Sequence, residues 1–301
     1  ESGFRLETAS LQIHTENPPW METDAPVWIQ GGGIRIAGWG IRLYPADERF
    51  ELGPGNMVEW EWQNQGSFWK GEGDGPLRLE KTAADIAILK IPESSACQIT
   101  LPNSSGWPGT LGSKGIEVQL AFKNGSWEPK HASLGAPCQW TGAIAAPEGM
   151  EILQGESCSL RWLSGGGLDQ VEWAGPVAIM GSIPDTSGAL TPASATSGAV
   201  VMRGTGGALL QGGIQGKTAN GNFSALAGEI ERDGHFRLEG NVSLEDGRAQ
   251  SELFLRQPDG SLRLEGRAIL RPEDGFQITA ESMVRHRDGW LRASGNPRAT
   301  R

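Results

Sequence analysis

Two glutamates separated by one residue are the first side chains of this sequence that could do chemistry. Glu59 and Glu61 alternate with Trp60 and Trp62 in Val58-Glu-Trp-Glu-Trp62, which has the period-two pattern of a β-strand. On one strand face they would lie ~6.6 Å apart, at ~3.3 Å per residue. Paired carboxylates at this range can act in glycoside hydrolysis. If Trp60 and Trp62 face inward, however, the glutamates are only a solvated face, and we favour this second interpretation.

Other catalytic and cofactor-binding patterns fail on spacing. Gly212 to Thr218 ends like a phosphate-binding loop, but Gln211 stands where that motif needs its first glycine, and the surrounding pattern is strand–turn–strand. The four histidines are scattered and lack the spacing of a zinc site: His14, His131, His235 and His286. We therefore expect no catalytic residues, no metal and no cofactor, and a protein that is not an enzyme.

Two of the three cysteines have similar surroundings. Cys138 and Cys158 each precede a tryptophan on what read as two neighbouring strands. A disulfide between them would stabilise the fold by roughly 3 kcal/mol in the chain-entropy model and would imply an oxidising compartment such as the periplasm. The alternative is that both cysteines, with Cys97, are reduced core thiols. The sequence leaves both readings open.

Tryptophan is unusually common, with 12 residues against a single tyrosine. All but Trp290 lie before residue 174, and Trp60, Trp62 and Trp69 are the candidates for a ligand-binding surface. Large rings that fill a broad β core are the alternative use.

Five Asp-Gly pairs punctuate the last hundred residues, at positions 233, 246, 259, 274 and 288. Asp-Gly between alternating stretches predicts β-hairpins, because both residues tolerate the positive φ of a type I′ turn. The segment Phe236–Gly240 recurs as Leu262–Gly266. The apolar face of this meander is expected to carry Phe236, Leu238, Leu262, Leu264, Phe276 and Ile278, a second candidate binding surface.

Composition agrees with an all-β fold, since 44 glycines and 18 prolines suit many strands and tight turns. We predict long antiparallel meanders that form two curved sheets or one extended β-groove. The expected division is a tryptophan-rich β region over 1–181, a loop or linker over 182–200 rich in Ser, Thr, Ala, Pro and Gly, and the Asp-Gly meander over 201–301.

A net charge of −10 argues against a protein that binds nucleic acid or an anionic membrane through its whole surface. No run reaches the ~18 apolar residues of a membrane-spanning helix. The sequence opens at Glu1 without a methionine, so an anchor that precedes it in a longer form is compatible with this numbering.

Several short stretches resemble one protein family. Gly66-Ser-Phe-Trp-Lys-Gly71 resembles the Gly-Thr-Leu-Trp-x-Gly stretch near the start of the periplasmic part of type II secretion system protein N. Pro137-Cys-Gln-Trp-Thr-Gly-Ala143 is similar to a strand of that family that ends in Trp-x-x-Ala. Gly207–Gly212, followed by Asp233–Gly240, resembles its late hairpins. Late Asp-Gly hairpins also resemble those of the AsmA-like proteins, whose long β-grooves carry lipids between membranes.

This resemblance implies a non-enzymatic, periplasm-facing accessory or assembly component of a type II secretion system. It implies envelope or secretion-machine proteins as partners and an inner-membrane anchor outside this sequence. Two alternatives stay open: a periplasmic lipid-carrying β-groove, and a carbohydrate-binding or glycoside-hydrolase protein that uses Glu59, Glu61 and nearby tryptophans.

Overall fold

A computed structural model of the chain describes residues 4–53, 56–64, 67–101, 107–142, 149–165, 167–184, 190–231, 235–257, 259–272, 275–286 and 288–301. The chain is nearly all β, with 77% of it in strands, and every strand pairing described is antiparallel. The prediction of an all-β chain built as a long antiparallel meander is therefore confirmed. Within these ranges the only helical elements are two single 3-10 turns, Pro45–Asp47 and Glu245–Gly247.

The strands of the first half of the chain are β1 Arg5–Thr8, β2 Gln12–His14, β3 Trp20–Gly31, β4 Ile34–Tyr44, β5 Arg49–Leu52, β6 Met57–Asn64, β7 Ser67–Asp74, β8 Leu77–Ala83, β9 Ile86–Leu101, β10 Gly109–Lys123, β11 Ser126–Gly142 and β12 Gly149–Gly155. Those of the second half are β13 Ser157–Trp162, β14 Leu168–Pro184, β15 Leu190–Arg203, β16 Ala208–Thr218, β17 Gly221–Ala225, β18 Ala227–Ile230, β19 Phe236–Leu244, β20 Ala249–Arg256, β21 Leu262–Leu270, β22 Gln277–Arg285, β23 Leu291–Ser294 and β24 Arg298–Thr300.

The chain divides into two compact units that interleave in sequence. Unit 1 contains residues 1–141 and 155–172, and unit 2 contains residues 142–154 and 173–301. The expected linker, 182–200, covers the end of β14 and most of β15, both in unit 2 at that point, and its residues 185–189 lie outside the described ranges. Also outside them are Gly66, Ala143 and the turn Asp233-Gly234.

Unit 1 is a meander in which two short strands often pair, one after the other, with the same longer strand. Strands β1 and β2 both pair with β3, and β3 pairs with β4. Strand β4 then pairs with β6 through its first half and with β5 through its second. Strands β6 and β7 pair, as do β5 and β8, and β7 and β8 both lie along β9, which continues to β10. Strand β11 pairs with β13.

Side chains along these strands alternate between a buried face and a solvent-exposed face. In β4, for example, Ile34 and Ile36 are buried while Arg35 is exposed. Residues paired across neighbouring antiparallel strands share a face. The register therefore carries one buried row from Ile29 through Ile36, Trp60 and Gly71 to Ile99.

Unit 2 repeats a simpler order. Strand β15 pairs with β16, β16 pairs with β17 and β18, and both of these pair with β19. The meander continues through β20, β21 and β22 to β23 and β24. Strand β12 pairs with β14.

Three Asp-Gly pairs lie wholly within the described residues, at 246, 259 and 288, and each joins two paired strands; two of them use a different turn from type I′. At Asp259-Gly260 and Asp288-Gly289 the glycine alone has positive φ, of 82° and 91°. Gly260 N–H donates to the carbonyl of Gln257, and Gln257 N–H donates to Ser261. Gly260 is therefore the left-handed last residue of a hairpin loop longer than two residues. Asp246 and Gly247 do both have positive φ, within the second 3-10 turn.

Candidate functional site

The tryptophans singled out from the sequence lie in the interior of unit 1. Trp60, Trp62 and Trp69 are at most 2% exposed. Because strand side chains alternate, Glu59 and Glu61 point to the opposite, outer face, where Glu59 is exposed. The structure therefore does not join the two glutamates and these rings in one cleft.

Three of the buried rings form one aromatic cluster. Trp62 and Trp69, directly paired across β6 and β7, have ring centroids 6.0 Å apart, and Trp162 of β13 meets both edge-on at 6.1 and 5.3 Å. The indole N–H groups of this cluster have no hydrogen-bond acceptor among the residues that the structure describes. The same holds for four other buried indoles in the described residues, Trp60, Trp127, Trp140 and Trp173.

Two other tryptophans, which sequence reasoning missed, lie on the outer face of unit 1. Trp28 of β3 and Trp39 of β4 are 55% and 54% exposed. Trp28 lies opposite Glu7 and Ala37, and Ala37 lies opposite Glu59. The rings thus share a face with both glutamates of the opening motif. The signal was in the sequence: Trp28 stands between Val27 and Ile29, which alternation assigns to the core.

We call this surface, defined by Trp28, Trp39, Met57, Glu7 and Glu59, the outer tryptophan face. Met57, two residues before Glu59 on β6, is 59% exposed and completes its apolar part. The carboxylates have cationic partners nearby. Glu7 lies 3.1 Å from the guanidinium of Arg5, and Glu59 lies 3.9 Å from the ammonium of Lys70. The face is therefore apolar at its centre and has hydrogen-bonding groups around it.

The three cysteines converge within the core of unit 1. The sulfur atoms of Cys138 and Cys158 are 2.6 Å apart, and all three residues are buried thiols in this structure. Burial raises the pKa of Cys97 to about 11, although its hydrogen bond with Ser113 acts in the opposite direction. Burial likewise raises the pKa of Cys158 well above the ordinary value of a thiol.

A row of β-bulges crosses unit 2. At each bulge, two consecutive residues with positive φ lie opposite a single residue of the neighbouring strand. The four pairs are Gly212-Gly213, Gly240-Asn241, Gly266-Arg267 and Gly295-Asn296. The single residues include Leu226, Glu252 and Glu281, which lie against Gly240, Gly266 and Gly295. This bulge row explains the repeated segment ending at Gly240 and Gly266, because each copy leads into a left-handed pair that only glycine begins without strain.

A cleft opens where the bulge row begins. Its volume is about 470 Å³, its floor includes Gly198, Gly212, Gly213 and Gly240, and Leu226 at its wall is 60% exposed. A Cβ atom built on Gly213 would meet nothing within 4 Å. None of the residues that line this cleft is charged. It therefore presents backbone, uncharged polar side chains and the exposed Leu226 to an incoming group.

The expected apolar face of the meander divides into three levels of exposure. Leu238 and Leu264 are buried, at 0% and 8%. Phe236, Leu262 and Ile278 are partly buried, and Phe276, which precedes β22, is 42% exposed.

In the part of the chain that the structure covers, no three His, Cys, Asp or Glu side chains are grouped so that they could hold a metal ion. Among the same residues, no helix has the length and apolar character needed to span a membrane. No family model, curated protein or solved structure matches the chain.

Proposed function

We propose that this chain is a non-enzymatic β scaffold that serves as an accessory or assembly component of a type II-like secretion system in the bacterial envelope. The proposal is supported by the short stretches that resemble type II secretion system protein N and by the all-β architecture. The cleft of unit 2 is the observation that carries it, because it is a place where a partner can dock.

The chemistry of the cleft defines what it would accept. Its walls carry no charge, in a protein with 26 basic and 36 acidic residues, so an ionic partner segment would lose solvation without compensation. The open space at Gly213 allows a second backbone or a side chain to approach closely. An uncharged segment of another secretion-machine protein, with an apolar side chain that covers Leu226, meets both conditions.

The test is retention of purified secretion-machine components by the immobilised chain, with Leu226→Ser as the variant. Leu163→Ser is the matched control, because Leu163 is a similarly exposed leucine, at 55%, in unit 1. We expect Leu226→Ser to weaken retention of one component about tenfold and Leu163→Ser to leave it unchanged. If both variants retain the component equally, the cleft is not the docking site. If the wild-type chain retains no component, the proposed assembly role is wrong.

Lipid carriage is the second candidate, and the unpartnered indoles of unit 1 favour it. Six of the seven lie in this unit: Trp60, Trp62, Trp69, Trp127, Trp140 and Trp162. A buried donor without an acceptor costs about 1–3 kcal/mol, so six would cost roughly as much as the whole net stability of a domain, about 5–15 kcal/mol. The ester oxygens of a lipid could accept these N–H groups while its chains contact the rings.

Solvent extraction of the purified protein followed by lipid mass spectrometry separates this candidate from buried water. Stoichiometric lipid that is lost in a Trp62→Phe, Trp69→Phe double variant supports carriage, because phenylalanine keeps a ring and removes the donor. A folded, lipid-free protein eliminates it and assigns the acceptors to water.

A further inference from the structure

The outer tryptophan face has two rings at a spacing set by the sheet. Trp28 is paired with Ala37, and Trp39 is two residues further along β4, so the two tryptophans are diagonal neighbours. Such neighbours are ~7–8 Å apart, which places both tryptophans on one exposed surface. Neither ring is needed to fill the core, because Val27 and Ile29 on β3 already do so.

Planar hydrogen-bonding groups surround the rings on the same face. Glu7 lies directly opposite Trp28, Gln30 follows two residues after it on β3, and Arg35 pairs with Gln30 on β4. Glu59 lies opposite Ala37, between the rings and β7. A carboxylate, amide or guanidinium can bind two neighbouring hydroxyl groups at once.

The charges of this face select against an ionic ligand. Acids exceed bases here, since Glu72 and Asp74 of β7 lie opposite Glu59 and Met57, which disfavours an anion. The two carboxylates next to the rings are each paired with a base, Glu7 with Arg5 and Glu59 with Lys70. The ligand that fits these groups is a neutral molecule with apolar C–H faces and many hydroxyl groups. A sugar has this chemistry.

The same neighbours argue against a protein as the occupant. The centre of a protein–protein interface is depleted of Glu, Asp and Lys, whereas here Glu7 is the direct cross-strand neighbour of Trp28. Burying that carboxylate under an apolar partner would cost desolvation, while a hydroxyl-rich ligand can replace its water.

We infer that the outer tryptophan face binds a neutral polysaccharide, with pyranose rings stacked on Trp28 and Trp39 and hydroxyl groups bonded to Glu7, Gln30, Arg35 and Glu59. This inference goes beyond the proposed assembly role and does not depend on it, because the cleft and the outer tryptophan face belong to different units. It replaces the expected sugar site on Trp60 and Trp62 with one on the opposite face of the same sheet.

Isothermal titration of the full chain with cellohexaose and with hexa-N-acetylchitohexaose tests this inference. The variants are Trp28→Ala and Trp39→Ala, and the control is Trp290→Ala, because Trp290 is a comparably exposed tryptophan, at 49%, in unit 2. We expect millimolar or tighter binding of at least one hexasaccharide, about tenfold weaker in either face variant, and unchanged in the control.

Circular dichroism of each variant checks that the sheet is retained. We expect it to be, because both substitutions remove exposed rings. Failure of both hexasaccharides to bind at millimolar concentration would overturn the inference, as would equal binding by all variants. If the two face variants instead lose a secretion-machine protein and no hexasaccharide binds, the surface is a protein-docking face.

Discussion

The indole of Trp60 lies directly over Gly71, its paired residue on the neighbouring strand. A Cβ atom on Gly71 would overlap Cε2, Cζ2 and Nε1 of the ring. The glycine therefore provides the space that lets a fully buried tryptophan lie flat on the sheet.

Replacing this glycine should destabilise unit 1. We expect Gly71→Ala to lower the free energy of unfolding by about 1–3 kcal/mol, because the methyl group must displace a fully buried ring. Urea denaturation measures the change. Gly112→Ala is the control, because Gly112 is also a strand glycine and a Cβ there meets nothing within 4 Å. Equal effects of the two substitutions would contradict this packing.

Cys138 and Cys158 should form a disulfide when an oxidant is supplied. Their side chains are in contact from β11 and β13, so the bridge needs only thiol–disulfide exchange with glutathione disulfide, which takes up two electrons and two protons and leaves as two glutathione molecules. Peptide mapping should find the 138–158 link and a free Cys97. The control is Cys97→Ala, which should give the same link. Alkylation of both Cys138 and Cys158 after oxidation would refute the pairing.

Stability should decline at alkaline pH in a way that depends on Cys97. Its pKa is raised from 9.0 to about 11 in the folded protein, so above pH 9 the unfolded chain loses a proton that the folded chain keeps. The contribution of Cys97 to the free energy of unfolding is therefore fully present below pH 9. It falls by about 2–3 kcal/mol as the pH rises through 11. Denaturation curves at pH 8 to 11 for the wild type and Cys97→Ala measure it. The variant should show a shallower decline, and parallel declines would contradict the assignment.

One bulge contains a residue poorly suited to its conformation. Arg267 has φ of 50°, where Asn241 and Asn296 occupy the equivalent positions of the bulge row. Asparagine tolerates the left-handed region better than arginine, so Arg267→Asn should raise the free energy of unfolding by about 0.5–1 kcal/mol. Thermal denaturation compares it with Arg292→Asn, an exposed strand position with ordinary φ, where no gain is expected. A lower stability for Arg267→Asn would show that conformation is not the limiting factor there.

The sequence predicts the meander well, because period-two alternation and turn residues act locally. It does not predict the bulge row. The repeat ending at Gly240 and Gly266 is visible, but the opposing residues, Glu252 and Glu281, become neighbours only through strand register. The segment Lys81–Lys90 is ambiguous between helix and strand as a sequence and becomes parts of β8 and β9, because pairing with β5 and β10 outweighs local preference.

The candidate site shows the same limit. Alternation around Val58–Trp62 correctly assigns the glutamates to one face and Trp60 and Trp62 to the other. Which tryptophans share the glutamates' face depends on the pairing of β3, β4 and β6, so Trp28 and Trp39 could be placed beside Glu59 only from the structure. The convergence of Cys97 with Cys138 and Cys158 likewise joins strands that are distant in sequence.

Native mass spectrometry of the protein purified gently from a bacterial envelope tests the central proposal most directly. An assembly component should appear as a lipid-free complex with a subunit of the secretion channel, and Leu226→Ser should dissociate that complex. A protein that carries stoichiometric lipid and no protein partner would contradict the assembly role and favour lipid carriage.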